Sequence, residues 1–320
     1  MPFGNSSPRP GRPHPGADLT PRRLALGAVA VVLSLGAAAC GAGEWGRGWS
    51  LGAVCTLAAP GAPLPEVVRE SSGIAPVSGS DHLFWTHNDS GGAPELFVVD
   101  LQGRERGRVR VPGATNRDWE DLASGTCPEG GRCLYIADTG DNRETRQDPA
   151  IYRIPEPHPE DSVSAPAQRF ALRFPQGARD VEALYLLPQE KLFLVTKGRN
   201  HPVEVYRVPP LEGEAPLVPE LIQVLTDGPV LLPRMVTGAG ATPDGALVVI
   251  RTYEAMVFHR PGPDGRLAPI PGGFVNLRPL REMQGEAVAW AGGNRWVLTS
   301  EGGPGISRGA IHLLECPLRP

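Results

Sequence analysis

Acidic residues recur at matching places along this chain and indicate a shared ligand. Glu120, Glu182 and Glu286 each begin a short apolar segment, and Ser72 and Gly238 begin two further segments of the same kind. If the five segments are equivalent strands around one axis, the three carboxylates converge and repel one another in a semi-buried channel. A hard cation with oxygen ligands would relieve that repulsion. The three glutamates are therefore predicted ligands of Ca²⁺.

Arginine pairing is the alternative way to neutralise these carboxylates. An arginine precedes each glutamate by three to five residues, at Arg117, Arg179 and Arg281. The sequence alone leaves both interpretations open: a salt-bridged channel with a purely structural role, and a calcium site.

A second set of polar residues follows the next apolar run of two neighbouring segments. Asn88-Asp89 and Asp138-Thr-Gly-Asp-Asn142 can present several oxygens to one ion, although the same residue types also form tight turns. We expect a channel mouth that binds a cation or a polar ligand. Its predicted residues are Asp89, Glu120, Asp121, Asp138, Asp141, Glu182 and Glu286.

Five copies of one pattern predict the architecture that would bring these residues together. The copies begin at residues 72, 120, 182, 238 and 286, and each continues into runs of aromatic and β-branched residues bounded by Gly and Pro, as is typical of strands. Forty Gly and 36 Pro leave few stretches from which a long helix could form. The sequence predicts an all-β fold, a β-propeller of about five blades. Six blades, with an irregular one between residues 120 and 182, and a β-sandwich are the alternatives.

The two ends of the repeat region are predicted to meet in one sheet. The fifth copy has no fourth strand, whereas Ala53–Leu57 precede the first copy and have strand character. An N-terminal strand that closes the last blade would place Cys55 beside Cys316. Cys127 and Cys133 flank a turn and are expected to form the other disulfide, although four cysteines allow three pairings.

The N-terminal residues have the composition of an export signal. Arg22-Arg23 precede the apolar run 24–39, whose sixteen residues suit a signal peptide better than a membrane span. The run ends in Ala37-Ala-Ala-Cys40, which resembles the bacterial lipobox, with Ala37 where that motif prefers Leu. Lipidation of Cys40 is expected, with plain secretion and an uncleaved anchor as alternatives.

The predicted organisation therefore has three parts. Residues 1–40 are a disordered leader and lipoprotein-type signal peptide, residues 41–52 a Gly-rich tether, and residues 53–320 the propeller. Each alternative for the leader exports the propeller, and disulfides form outside the cytoplasm. We expect a lipid-anchored protein of the cell envelope.

The net charge of the chain argues against nucleic acid as a binding partner. Thirty-one basic and 35 acidic side chains give a net charge of −4, so the chain has no basic field that would hold a nucleic acid. Membrane contact is expected only through the lipid anchor. The expected partner is a small polar or anionic ligand or another envelope protein.

Motifs in the first two copies carry a family resemblance. They are Trp85-Thr-His-Asn-Asp-Ser-Gly91, Asp118-Trp-Glu-Asp-Leu-Ala123 and Tyr135-Ile-Ala-Asp-Thr-Gly-Asp-Asn142. Residues 72–157 resemble a group of uncharacterised bacterial secreted propeller proteins and, more distantly, the SdiA-regulated and esterase-like phytase propellers. The remainder is similar only through the repeat. The resemblance implies an extracytoplasmic propeller, often associated with calcium, and no settled reaction.

Two functions fit these features, and the sequence leaves open whether the protein is an enzyme. The first is a binding or scaffold module with a carboxylate-lined channel. The second is a calcium-dependent hydrolase of phosphate esters or lactones, without an assigned catalytic residue. His87 adjoins Asn88-Asp89 but is expected to hydrogen-bond a neighbouring loop rather than to act as a base. The cationic side chains that could hold an anionic substrate are Arg143, Arg146, Lys197 and Arg251.

Overall fold

The structure is a computed structural model that describes residues 51–52, 54–303 and 308–318. The predicted leader over residues 1–40, the lipidation site Cys40 and nearly all of the predicted tether lie outside these ranges. Within them, no helix is long and apolar enough to cross a membrane.

Twenty strands in the described ranges form five antiparallel sheets of four strands each. In chain order the strands are β1 Thr56–Pro63, β2 Ser71–Pro76, β3 Leu83–Asn88, β4 Glu95–Asp100, β5 Glu105–Arg110, β6 Trp119–Thr126, β7 Arg132–Asp138, β8 Ala150–Pro155, β9 Gln168–Ala171, β10 Val181–Leu187, β11 Lys191–Thr196, β12 Glu204–Arg207, β13 Glu220–Val224, β14 Val236–Ala241, β15 Val248–Thr252, β16 Ala255–Pro261, β17 Leu267–Asn276, β18 Gln284–Trp290, β19 Arg295–Glu301 and β20 Ala310–Glu315. Blade 1 is β2–β5, blade 2 is β6–β9, blade 3 is β10–β13, blade 4 is β14–β17, and blade 5 combines β18–β20 with β1.

The first strand of each blade lies innermost. Strands β2, β6, β10, β14 and β18 contact one another in that order, and β18 contacts β2, so that the sheets close into a ring. The prediction of a five-bladed β-propeller is confirmed. The long step between residues 120 and 182 contains long loops on both sides of β9 rather than a sixth blade.

Each interface between neighbouring blades buries its own apolar cluster. Strands covered on both faces are apolar at consecutive positions, as in residues 133–137 of β7, which are all buried. Trp85 and Trp119 fill the interface between blades 1 and 2. Phe258 packs edge-on against Trp296, with ring centroids 5.2 Å apart, between blades 4 and 5. This packing fixes the inner strands that line the channel.

The described ends of the chain meet in blade 5, as predicted. β1 pairs with β20. A disulfide joins Cys55, directly before β1, to Cys316, directly after β20, and the Cα atoms of the two cysteines are 4.1 Å apart. The closing strand is Thr56–Pro63, whereas the sequence predicted Ala53–Leu57. Its Pro and Gly residues are not typical of strands, so the sequence pattern did not indicate its full extent. An edge strand tolerates them because one of its sides makes no ladder hydrogen bonds.

A second disulfide, Cys127–Cys133, closes the hairpin between β6 and β7. The intervening turn contains Gly130 and Gly131, which both have positive φ, a conformation that glycine adopts without steric cost. Two disulfides are typical of proteins outside the cytoplasm, and they indicate that the chain is extracytoplasmic.

Candidate functional site

A repeated β-bulge lies near the start of every innermost strand. At this point the register with the next strand shifts by at least one residue in all five blades. A bulge redirects the side chain of its extra residue, which turns these side chains away from the blade interfaces and toward one another. The residues at the bulges are Ser72, Glu120, Glu182, Thr237 and Glu286.

In blade 4 the equivalent residue is Thr237, and not Gly238 as the sequence pattern indicated. The Thr237 hydroxyl donates a 3.1 Å hydrogen bond to the carbonyl of Glu286, and the Ser72 hydroxyl donates a 2.7 Å bond to the carbonyl of Glu120. A Cβ on Gly238 would lie 2.7 Å from the Glu286 carbonyl oxygen, so the glycine permits close approach of blades 4 and 5. The two blades without a glutamate at the bulge therefore hold the backbone carbonyl of the glutamate in the next blade.

Three carboxylates form what we call the outer triad: Asp89, which follows β3, Asp118, which precedes β6, and Glu120. One oxygen from each lies within 4.8 Å of the others. Ca²⁺ binds oxygens at about 2.3–2.6 Å, so a single ion can reach all three. Asp89 Oδ1 is buried and has no hydrogen-bond partner among the described residues.

An inner triad, defined as Glu120, Asp180 and Glu182, shares Glu120 with the outer one. Its three oxygens also lie within 4.8 Å of one another, and all three residues are buried. Lys197, directly after β11, places its Nζ 2.5 Å from Glu182 Oε1. The channel therefore contains five adjoining carboxylates and one buried ammonium group.

Asp118 and Asp180 are site residues that the sequence analysis missed. Each stands two positions before a bulged glutamate, in Asp118-Trp-Glu120 and Asp180-Val-Glu182. This repeated Asp-x-Glu was the available signal, and it is absent from blade 5, where Gln284 has the equivalent position.

Asp138 and Asp141 lie behind the triads and position them. The backbone N–H of Asp118 donates to Asp138 Oδ1 at 2.9 Å, and the backbone N–H of Asp141 donates to Asp180 Oδ1 at 2.9 Å. Asp138 also forms a 2.9 Å ion pair with the buried Arg146. Neither residue belongs to a triad.

Asp121 points to backbone amides rather than to the triads. Its buried carboxylate accepts hydrogen bonds from the N–H groups of Leu122 (2.8 Å), Leu184 (2.8 Å) and Ala239 (3.3 Å). Burial raises the pKa of Asp121, while these three amides lower it. The side chain links blades 2, 3 and 4 around the axis.

Gly140 leaves room for the outer triad. A Cβ at this position would overlap Glu120 Oε1 and lie 2.5 Å from Asp118 Oδ2. The absence of a side chain lets the loop after β7 close over two of the three carboxylates.

Burial raises the pKa of several channel carboxyls. The pKa of Asp89 rises to about 8 because of burial and the negative charges of Asp118 and Glu301. The pKa of Glu182 rises to about 7 because of burial, which the positive charge of Lys197 opposes. Burial raises the pKa of Glu301 to about 7 as well. At neutral pH these groups are therefore partly protonated, and a bound cation would favour their ionised form.

Glu286 belongs to neither triad, although its sequence position predicted a metal ligand. Burial and the charge of Glu301 raise its pKa well above the usual range. The structure thus brings together two of the three predicted calcium ligands, Glu120 and Glu182, and adds Asp89, Asp118 and Asp180.

Two of the three arginines that precede the channel glutamates pair with other carboxylates, whereas Arg281 forms no ion pair among the described residues. Arg117 contacts Asp148 at 2.5 Å, and Arg179 contacts Glu204 at 2.8 Å. Within the described ranges, Lys197 is the basic side chain that pairs with a channel glutamate.

Arg251 is a structural residue. It is fully buried, donates to the carbonyls of Ala287 (2.6 Å) and Thr299 (2.9 Å), and pairs with the buried Glu282. These bonds join blades 4 and 5 and leave the guanidinium without access to a substrate.

His87 has the structural role that the sequence analysis favoured. Its Nδ1 lies 3.1 Å from the carbonyl of Asn88, and its ring packs edge-on against Trp119. Burial lowers the pKa of His87 to about 4, so the imidazole is neutral at physiological pH.

A cleft of about 630 Å³ opens beside the outer triad and shares Asp118 with it. Arg143 is exposed on its wall and has no acidic partner among the described residues. The other charged residues of the lining are Arg117, Asp141, Arg146 and Asp148.

Comparison with known proteins supports the fold and goes no further. No family model and no curated protein sequence matches the chain. The PQQ-bound aldose sugar dehydrogenase of Streptomyces coelicolor is 14% identical over 82% of this chain and 97% of its own, with a TM-score of 0.50. This likeness shows a shared β-propeller fold alone.

Two further solved structures are more remote. The apo-form of the soluble aldose sugar dehydrogenase of Escherichia coli is 11% identical over 82% of this chain and 99% of its own, with a TM-score of 0.48. A gluconolactonase of Xanthomonas campestris is 14% identical over 73% of this chain and 69% of its own, with a TM-score of 0.38. Neither bears on the function of this chain.

Proposed function

We propose that this protein is an extracytoplasmic binding propeller that holds Ca²⁺ at the outer triad of its channel. The ion and the adjoining cleft would bind a small polar or anionic ligand or an envelope protein, and not nucleic acid. One observation carries the proposal: three carboxylate oxygens lie within 4.8 Å of one another, and no basic side chain of the described residues lies within 4.0 Å of any of them.

The donor set favours calcium over a transition metal. Both triads contain only carboxylates, which are hard ligands, whereas zinc and copper prefer sites with imidazole or thiolate. Asp89 and Asp118 are only partly buried, so waters or a ligand can complete the six to eight oxygens that Ca²⁺ takes.

Calcium titration tests the site. We expect calorimetry to show binding to the wild type, and a loss of at least tenfold in affinity for Glu120→Gln, because the amide keeps the shape and removes a charge shared by both triads. Glu129→Gln changes an exposed turn residue and is the matched control. Equal heats for Glu120→Gln and the wild type would reject the site.

Envelope anchoring is part of the proposal. Lipidation of Cys40 would attach the propeller to the membrane through its N-terminal segment and would leave the ring itself without membrane contact. Metabolic labelling with palmitate should mark the wild type and not Cys40→Ser. Recovery of unlabelled wild type from the culture medium would favour plain secretion instead.

Hydrolysis is the second candidate function, and the cleft is the observation that favours it. Asp118 belongs both to the outer triad and to the wall that carries Arg143, so a phosphate ester held by arginine would lie next to the ion. The purified protein should be assayed on phosphomonoester and lactone panels with Ca²⁺ and with a chelator. Turnover that the chelator abolishes would support the hydrolase and reject a function in binding alone.

A further inference from the structure

The two triads offer two adjoining cation positions, one on each side of Glu120. Resting on the proposed calcium site, we propose that the Lys197 ammonium group is a built-in cation that fills the inner position and restricts the channel to one Ca²⁺ at the outer position. Lys197 is thus a specificity-determining residue for metal stoichiometry.

Distance and charge place Lys197 in this role. Its Nζ lies 2.5 Å from Glu182 Oε1, and the side chain is 7% exposed. The inner triad brings three carboxylates together with little solvent, an arrangement that a positive charge stabilises. Among the described residues, no other basic side chain lies within 4.0 Å of Glu120, Asp180 or Glu182.

The inner position retains an unused ligand. Asp180 is 1% exposed, its Oδ1 accepts the N–H of Asp141, and its Oδ2 has no hydrogen-bond partner in the described part of the chain. An ammonium group has three donors but satisfies only one carboxylate closely here, whereas a divalent ion would bind all three oxygens. The inner triad is therefore a metal site that lysine occupies in part.

The backbone holds the ammonium group in place. The N–H of Lys197 donates to the carbonyl of Asp180 at 2.9 Å, and its carbonyl accepts the N–H of Val236 at 3.1 Å. These bonds fix the residue between blades 3 and 4 and direct its side chain back over the start of β10. The ammonium group can then compete with a free ion at high effective concentration.

Removal of the charge should open the inner position. Methionine has nearly the length of lysine and no charge, so Lys197→Met should bind two Ca²⁺ where the wild type binds one. Lys197→Arg keeps the charge and should bind one. Lys191→Met alters the exposed first residue of the same strand, β11, and is the matched control, which should also bind one.

Calorimetric titration and native mass spectrometry in Ca²⁺ solutions count the ions independently. Two ions for Lys197→Met and one for the other three proteins support the inference. Two ions in the wild type, or one ion in both the wild type and a folded Lys197→Met, overturn it. If the wild type binds none, the proposed function fails, yet one ion in Lys197→Met would still show that lysine fills a metal position.

A second pair of variants covers the case in which Lys197→Met does not fold. Asp118→Asn should lower the Ca²⁺ affinity at least tenfold, because it removes a negative charge from the outer position. Asp180→Asn should change the affinity less than threefold, since the inner position holds no Ca²⁺ in the wild type. The reverse order of effects would place the ion in the inner triad and overturn the inference.

Discussion

Ser72 and Glu120 stand at the bulges of two neighbouring innermost strands, and the Ser72 hydroxyl donates a 2.7 Å hydrogen bond to the Glu120 carbonyl. This bond connects blade 1 to the residue that both triads share. It positions the backbone that carries the carboxylate without touching the carboxylate itself.

Ser72→Ala should therefore weaken both the fold and the site. Loss of a buried hydrogen bond costs about 1 kcal/mol of the free energy of unfolding, and the unpaired Glu120 carbonyl adds to that cost. We expect Ca²⁺ affinity to fall by a few-fold, measured by calorimetry alongside denaturant unfolding. Ser78→Ala, in an exposed turn, is the control, and an unchanged affinity for Ser72→Ala would deny the positioning role.

Gly140→Ala should damage the site more than the fold. Its Cβ would overlap Glu120 Oε1, so the outer triad must spread while the blade cores keep their packing. Ca²⁺ affinity should drop at least tenfold in calorimetry, with little change in the circular dichroism spectrum. Gly228→Ala has open space around its Cβ and should bind as the wild type does. Equal affinities for the two variants would contradict the proposed geometry.

The two disulfides should contribute unequally to stability. Cys55–Cys316 spans 261 residues and Cys127–Cys133 spans six, and a longer closed loop removes more entropy from the unfolded chain. Replacing both cysteines of the long bridge by serine should lower the free energy of unfolding by about 5 kcal/mol, and the same change in the short bridge by about 2 kcal/mol. Urea unfolding of both double variants measures the difference, and equal losses would contradict it.

Acidification should destabilise the protein through His312. Burial and the positive charge of Arg251 lower the pKa of His312 to about 4, against an ordinary value of 6.5. Between these values the unfolded chain binds the proton and the folded chain does not, so this contribution to stability is lost as pH falls from about 6.5 to about 4. The expected loss is roughly 2–3 kcal/mol.

Comparison with His312→Gln isolates this contribution from that of the channel carboxyls. The difference in unfolding free energy between wild type and variant should shrink as pH falls through that interval, in urea titrations at fixed Ca²⁺. A difference that stays constant from pH 7 to pH 4 would assign the acid sensitivity to other groups.

Much of the fold follows from local signals in the sequence. The repeated segments predict the five inner strands. The missing fourth strand of the fifth copy predicts closure by an N-terminal strand, and the number and positions of the cysteines predict the pairing of Cys55 with Cys316. The bounds of β1 do not, since an edge strand built around Pro60 and Gly61 lacks the residues that mark strands.

The site was predictable to a lesser degree. Glu120 and Glu182 converge because they share a position in the repeat, and that shared position is visible in the sequence. Glu286 shares that position too, yet belongs to neither triad, because the ligands that complete each triad come from loops: Asp118 and Asp180 before the strands and Asp89 after one. How closely loops approach depends on details such as the missing side chain of Gly140, which strand patterns do not encode.

Because β1 pairs with β20, the ring can close only after β20 has been synthesised. β20 separates β1 from the rest of blade 5, so a nascent chain exposes the free edge of β19 until β20 emerges. A stop codon before Ala310 would remove β20 and would leave the other nineteen described strands in the chain. It would nevertheless leave β1 without a pairing partner and leave the edge of β19 open to pairing with other chains.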